Sequence, residues 1–244
     1  MPVDADAVPD LGIMRLQILL AARGGCRPQL AGRLEAEGRK TAALFARQGR
    51  VNVLTQIDDD PFPQANPLCR PYDAVLEVES SAEAGLQTFV DAVEGIGERL
   101  GDVVHGDLSA ALIGAPQVII PTDPTVFRYL YLMRRKAGTS GEDYASYYFH
   151  NHSNFGFRTP GISGYTQFHV DLVQSAMLGR RLGFGICAVD SVSELYLDSL
   201  EDFFAKIADG RLGAEAAADE ERFVDRPNSV SFCTTTSFTA ETRS

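Results

Sequence analysis

The chain holds four histidines, His105, His150, His152 and His169, and three of them fall between positions 150 and 169. An imidazole titrates near neutral pH and can carry a proton both ways, so this concentration is the first place to expect chemistry. Tyr144, Tyr148 and His152 recur every four residues and share one stripe of a helix, with Tyr147 and Phe155 beside it. His150 points away from the end of that stripe. An amphipathic stripe of this kind reads as core with tyrosine hydroxyls reaching outward. His152 shifts the balance, because a buried imidazole needs partners for both ring nitrogens, and a pocket with polar groups is one way to supply them.

Two strands add to the set. Tyr165, Gln167, His169 and Asp171 alternate onto one face, with Thr166, Phe168 and Val170 on the other. Arg128, Leu130, Leu132 and Arg134 share one face of the preceding strand, opposite Tyr129, Tyr131 and Met133. A sheet face mixing tyrosine, glutamine and histidine fits a small-molecule cavity, mostly apolar with a few placed hydrogen-bonding groups. His152, Tyr148 and His169 are therefore the catalytic candidates, although His169 reads equally as a satisfied structural histidine. Tyr144, Tyr165, Gln167, Arg134, Phe155 and Tyr131 are the candidate substrate contacts.

Other chemistries lack their signatures. There is no glycine-rich phosphate loop, no dinucleotide fingerprint and no G-x-S-x-G, which disfavours nucleotide cofactors and serine-hydrolase chemistry. Cys26, Cys69, Cys187 and Cys233 are scattered and read as reduced, mostly buried thiols. His150 and His152 lie on different helix faces, so no metal site is expected. The acidic runs Asp58-Asp59-Asp60 and Asp219-Glu220-Glu221 read as solvated surface. A net charge of −11 repels phosphate backbones, which argues against a nucleic-acid partner. The longest apolar runs are far too short to span a bilayer, and the acidic start of the chain does not resemble a secretory leader, so a cytoplasmic location is expected.

The elements that must hold these residues repeat. In the first half, 13–22 reads as a strand, 29–47 as a helix, 50–57 and 72–79 as strands, about 82–100 as a long helix and 108–113 as a strand. Residues 115–124 contain Pro116, Pro121 and Pro124 and read as a connector. In the second half, 126–134 is a strand and 142–155 a helix, with capping-box spacing at Thr139 and Glu142 or, one residue on, at Ser140 and Asp143. Strands at 165–171 and 189–197, a helix beginning at 200–207 and a strand at 229–235 follow. Both halves read β-α-β-β-α-β, an antiparallel sheet with two helices on one face. The bare face of each sheet must be covered, and two copies can cover each other. The expected fold is therefore α+β, with two ferredoxin-like βαββαβ repeats, 11–115 and 124–240, packed sheet to sheet as a pseudo-dimeric α+β barrel. The second repeat carries the pocket. Two unrelated α+β domains are the alternative.

The stretch 140–170, SGEDYASYYFHNHSNFGFRTPGISGYTQFHV, resembles the EthD family of the dimeric α+β barrel superfamily. The helix start at Ser140 and Glu142-Asp143-Tyr144, the aromatic pair Tyr147-Tyr148, His152, the Pro160-Gly161-Ile162 turn, Tyr165 and His169 carry the likeness. Residues 191–199 and the run Asp219-Glu220-Glu221-Arg222-Phe223-Val224-Asp225 extend it, whereas the first half matches in element order alone. The sequence departs where Ser153-Asn154 follow the helix histidine in place of Gly-Pro, and where Tyr148 stands for a tryptophan. Both departures bear on the substrate rather than the fold. The resemblance implies a cofactor-free pocket for a hydrophobic, aromatic or polyketide-like molecule. It also implies a lyase or isomerase working by proton transfer, a cofactor-free monooxygenase of a phenol, or a non-catalytic accessory protein. Some superfamily members bind haem. A fused pair already completes one barrel, so a homodimer is optional.

Overall fold

A computed structural model describes residue 8 and residues 11–45, 49–62, 70–81, 83, 85–123 and 125–241. Cys69, Pro124, residues 46–47 of the first expected helix, Ala82 at the start of the second, and nearly all of the first ten residues lie outside the described residues. The first half runs β1 (Ile13–Leu20), α1 (Arg27–Leu44), β2 (Gly49–Gln56), β3 (Ala74–Ser81), α2 (Gly85–Val93), α3 (Ile96–Leu100) and β4 (Ala110–Ile120). The second runs β5 (Phe127–Met133), α4 (Gly141–Tyr147), a π-helical turn (Tyr148–His152), α5 (Ser153–Arg158), β6 (Gly164–Val170), α6 (Leu172–Arg181), β7 (Ser191–Leu197), α7 (Leu200–Ile207), α8 (Arg211–Glu220) and β8 (Val230–Glu241).

The eight strands close into one antiparallel barrel in the order β1-β3-β2-β8-β5-β7-β6-β4, with β4 returning to β1. The halves meet where β2 pairs with β8 and β4 with β6. Strand alternation sends one set of side chains inward. Leu19, Leu54, Val75, Leu112, Leu130, Phe168, Val192 and Phe232 come from all eight strands and form one buried cluster, as the inside of a closed barrel requires. Next to this apolar layer lies an ionic one. Arg15 Nη1 donates to Glu194 Oε2 at 2.6 Å and Arg128 Nη1 to Glu77 Oε1 at 2.9 Å, while Gln17 and Asn52 donate to Glu77 at 3.0 and 2.8 Å. Burial alone would raise the Glu77 carboxyl, but Arg128 and Arg15 outweigh it and hold it well below the usual range.

The outer faces of the two halves differ. On the first, Leu16, Ile18, Val53 and Leu76 pack under α1–α3 and against Leu178 of α6 in one apolar cluster. On the second, the outward side chains include Tyr129, Tyr131, Tyr165 and Ser193, and the helices above them leave a cavity.

Several elements differ from expectation for local reasons. Gly95, at φ 70°, breaks the long helix into α2 and α3. Residues 115–120 continue β4 rather than form a connector. Pro116 is tolerated there because β4 pairs with β1 only as far as Gly114, leaving a single neighbour beyond it. The helices α6 and α8 were not expected. Among the described residues, Cys187 and Cys233 are buried and Cys26 half-buried, and no helix is long and apolar enough to cross a membrane.

Candidate active site

The site begins with a helix cap. Ser140 Oγ accepts from the Asp143 backbone N–H at 3.0 Å and donates to Asp143 Oδ2 at 2.7 Å, so the second of the two capping pairs starts α4. Tyr144, on the buried face of α4, shares a 2.6 Å hydrogen bond with Ser191 Oγ. At Tyr148 the backbone widens into the π-helical turn, and Gln167 Nε2 donates to the Tyr148 carbonyl at 2.9 Å. Turns of this kind are rare and concentrate at functional sites. His152 closes the turn, and Phe223 and Phe155 hold its ring at 5.2 and 5.1 Å between centroids.

His152 is 8% exposed, and its Nδ1 lies 2.9 Å from Asp219 Oδ2. Asp219 Oδ1 accepts from the Tyr147 hydroxyl at 2.6 Å. Burial alone would raise the Asp219 carboxyl, yet the bonds from Tyr147 and His152 hold it below its ordinary range. Burial lowers the His152 imidazole, and Asp219 offsets only part of that. An ionised carboxylate can only accept, so neutral His152 carries its hydrogen on Nδ1 and leaves Nε2 as a bare lone pair. Nε2 stands 3.9 Å from Glu220 Oε1. Glu220 Oε2 accepts from Arg226 Nε at 2.9 Å and from the Tyr131 hydroxyl at 3.4 Å, and burial raises the Glu220 carboxyl.

His152 and Glu220 face a cavity of about 540 Å³. Its floor is the outer face of the second-half strands, with Tyr129, Tyr131, Tyr165, Ser193 and Leu195, and its walls include Phe155, Phe203, Ile207 and Leu212. Mostly apolar with a few convergent polar groups, it has the make-up of a small-molecule pocket.

The expected residues separate into two groups. His152, Phe155, Tyr165 and Tyr131 line the cavity. Tyr148 and Gln167 stand one layer behind, where Tyr165 Oη donates to Tyr148 Oη at 3.3 Å and accepts from Gln167 Nε2 at 3.0 Å. His169 is further out, 3.4 Å from Gln167 Oε1, and with Tyr144 lines a separate hollow of about 190 Å³. Burial pushes the His169 imidazole down to about 4. Arg134 lies apart from the cavity and donates to the Ala188 carbonyl at 2.6 Å. Its place in the alternation of β5 is on the side of Leu130 and Leu132, opposite Tyr131.

The run Asp219-Glu220-Glu221 corrects the sequence reading. Asp219 and Glu220 are not solvated surface: their side chains are 16% and 12% exposed, one bonded to His152 and the other at the cavity wall. The available signal was the run 219–225 that extends the EthD resemblance, which these two residues open.

A haem fits this donor set poorly. Its propionates need cations, and Arg226, the only guanidinium or ammonium group among the described lining residues, is already paired with Glu220.

Residues 136–227 match the EthD domain family. No curated protein matches the chain. Among solved structures, an anthrone oxidase-like protein superposes with a TM-score of 0.62 at 10% identity, covering 94% of this chain and 93% of that one. A candidate monooxygenase from Lactobacillus acidophilus NCFM gives 0.53 at 9% identity, covering 95% and 97%. A variant chlorite dismutase from Candidatus Nitrospira defluvii gives 0.53 at 10% identity, covering 95% and 93%. At such identities the likeness is one of fold alone. Residues 136–227, which match the EthD domain family, thus lie within a closed eight-stranded antiparallel barrel.

Proposed function

We propose that this chain is an enzyme in which His152 takes a proton from a small aromatic or polyketide-like molecule held in the cavity. The reaction is then completed, without a cofactor, as an isomerisation or elimination. The observation that carries this reading is the 2.9 Å hydrogen bond that His152 Nδ1 donates to Asp219, which leaves Nε2 as a proton acceptor at the cavity wall. The Tyr131 and Tyr165 hydroxyls stay protonated, since burial raises both; Tyr131 keeps its hydrogen on Glu220, while Tyr165 can turn its own from Tyr148 to the oxygen of a forming enolate. Tyr148, Gln167 and His169 act from behind by orienting Tyr165, and Arg134 has no part in binding. The test is turnover of a panel of aromatic ketones and phenols. His152→Ala should lose at least about tenfold in rate, and equal turnover by the two proteins would end the proposal.

A second reading shares this first proton transfer and lets the resulting anion react with dioxygen, as a cofactor-free monooxygenase of a phenol. Two of the fold neighbours, named for oxidase and monooxygenase activity, favour it. Oxygen consumption on turnover separates the readings, since the lyase or isomerase runs unchanged under anaerobic conditions.

We also read the barrel as two fused ferredoxin-like repeats. Each half has the local strand order fourth-first-third-second, and the buried pairs Arg15–Glu194 and Arg128–Glu77 each join an arginine of one half to a glutamate of the other. The first repeat, expected to span residues 11–115, then extends to Ile120, where β4 ends. The second is residues 124–240.

A further inference from the structure

Among the described residues, Glu220 has one oxygen held by hydrogen bonds and one that accepts none. Arg226 and Tyr131 occupy Oε2, while Oε1 faces the cavity 3.9 Å from His152 Nε2. That separation is too long for a direct hydrogen bond. The two atoms thus stand side by side on one wall, close enough to act on neighbouring atoms of one ligand from the same face. From this geometry we infer that Glu220 is the acid partner of His152 and that the substrates are β-hydroxy carbonyl compounds, which lose water by syn elimination. The inference rests on His152 being the base.

The step balances without any other reactant. His152 Nε2 takes the hydrogen on the carbon next to the carbonyl. The electrons of that C–H bond form the new C=C bond, and the C–O bond to the β-hydroxyl breaks. Glu220 Oε1 gives its proton to the departing oxygen, which leaves as water. A water molecule between the two, such as the one just released, then relays the proton on His152 to Glu220 and resets the pair. Environment assists the exchange: burial raises the Glu220 carboxyl and lowers the His152 imidazole, which brings their proton affinities together. Tyr131 holds Glu220 and faces the same cavity, so the acid stays in register with the sheet floor.

3-Hydroxy-1-tetralone is a suitable probe, because loss of water yields 1-naphthol, which is read by its fluorescence. 3-Acetoxy-1-tetralone is its partner, with a leaving group that needs no proton. Glu220→Gln should slow the hydroxy ketone at least about tenfold more than the acetoxy ketone, whereas His152→Ala should slow both alike. Equal losses on the two ketones with Glu220→Gln, or no loss on the hydroxy ketone, would overturn the inference. Should that variant fail to fold, the wild-type pH profile decides. Turnover of the hydroxy ketone should fall at high pH as Glu220 ionises, with no such limb for the acetoxy ketone, and matching profiles would overturn it. Deuterium at carbon 2 should be lost when cis to the hydroxyl and kept when trans, and the reverse outcome is fatal. His152-dependent exchange of the carbon 2 hydrogens of 1-tetralone in D₂O separates the two levels. Exchange with no elimination from the hydroxy ketone removes the role of Glu220 and leaves the base in place, while absence of both removes both.

Discussion

The imidazole of His152 is bonded through Nδ1 to Asp219, 67 residues further along the chain, at 2.9 Å. The bond fixes the tautomer and so decides which nitrogen meets the ligand. An asparagine in place of Asp219 could present either its carbonyl or its amide to Nδ1, and the second choice would turn the basic nitrogen away from the cavity. Asp219→Asn should therefore lower turnover by at least about tenfold with little change in substrate affinity. Steady-state kinetics check this, and an unchanged kcat would contradict it.

Tyr147 touches the other oxygen of the same carboxylate, at 2.6 Å. Tyr147→Phe removes that hydrogen bond and keeps the ring that packs 5.1 Å from Phe223. A single hydrogen bond of this kind should be worth roughly a two- to tenfold loss in kcat. The melting temperature should stay close to that of the wild type, and a large drop in it would point to a structural role instead.

Burial lowers the proton affinity of His152 below its ordinary 6.5. A base must be unprotonated to act, so activity should rise with pH through a midpoint under 6.5 and level off above it until an acid partner ionises. A pH–rate profile whose acid limb sits above 6.5 would contradict this assignment.

His169 gives a stability signature of its own. The unfolded chain protonates this imidazole near 6.5, the folded one only near 4. Between those values the unfolded state binds more protons, so stability falls as pH drops through the window, by at most about 3 kcal/mol. His169→Gln should flatten that part of the curve, as read by urea midpoints at pH 7 and pH 4.5. Parallel losses in both proteins would contradict it.

Inside the barrel, Arg15 is bonded to Glu194 at 2.6 Å, with the two side chains 3% and 0% exposed. Removing the arginine leaves a buried carboxylate without its partner. Arg15→Met should cost about 3–5 kcal/mol in urea unfolding at neutral pH, and a loss below about 1 kcal/mol would show that the pair does not join the halves.

What the sequence made legible follows from what is local. The hydrophobic alternation of the strands, the Ser140 cap and the four-residue recurrence of Tyr144, Tyr148 and His152 are set by neighbours in the chain, and they placed His152 beside a polar-aromatic sheet face. Asp219 and Glu220 were misread because three acidic residues in a row look the same whether solvated or aimed at a histidine. Only the packing of α8 over the sheet distinguishes the two cases. That helix, RLGAEAAADE, has no buried residue to give it an apolar stripe. Arg134 stands apart from the cavity for a related reason: its side was fixed by alternation, but the outer face became the cavity only once helices covered it. Pro116 suggested a break, and β4 passes through it because one side of that strand has no partner to lose.

Proton exchange in D₂O at carbon 2 of 1-tetralone, followed by NMR, bears most directly on His152 as the base. Wild-type protein should exchange those hydrogens at least about tenfold faster than His152→Ala at the same pH and concentration. Equal rates in the two proteins would contradict it.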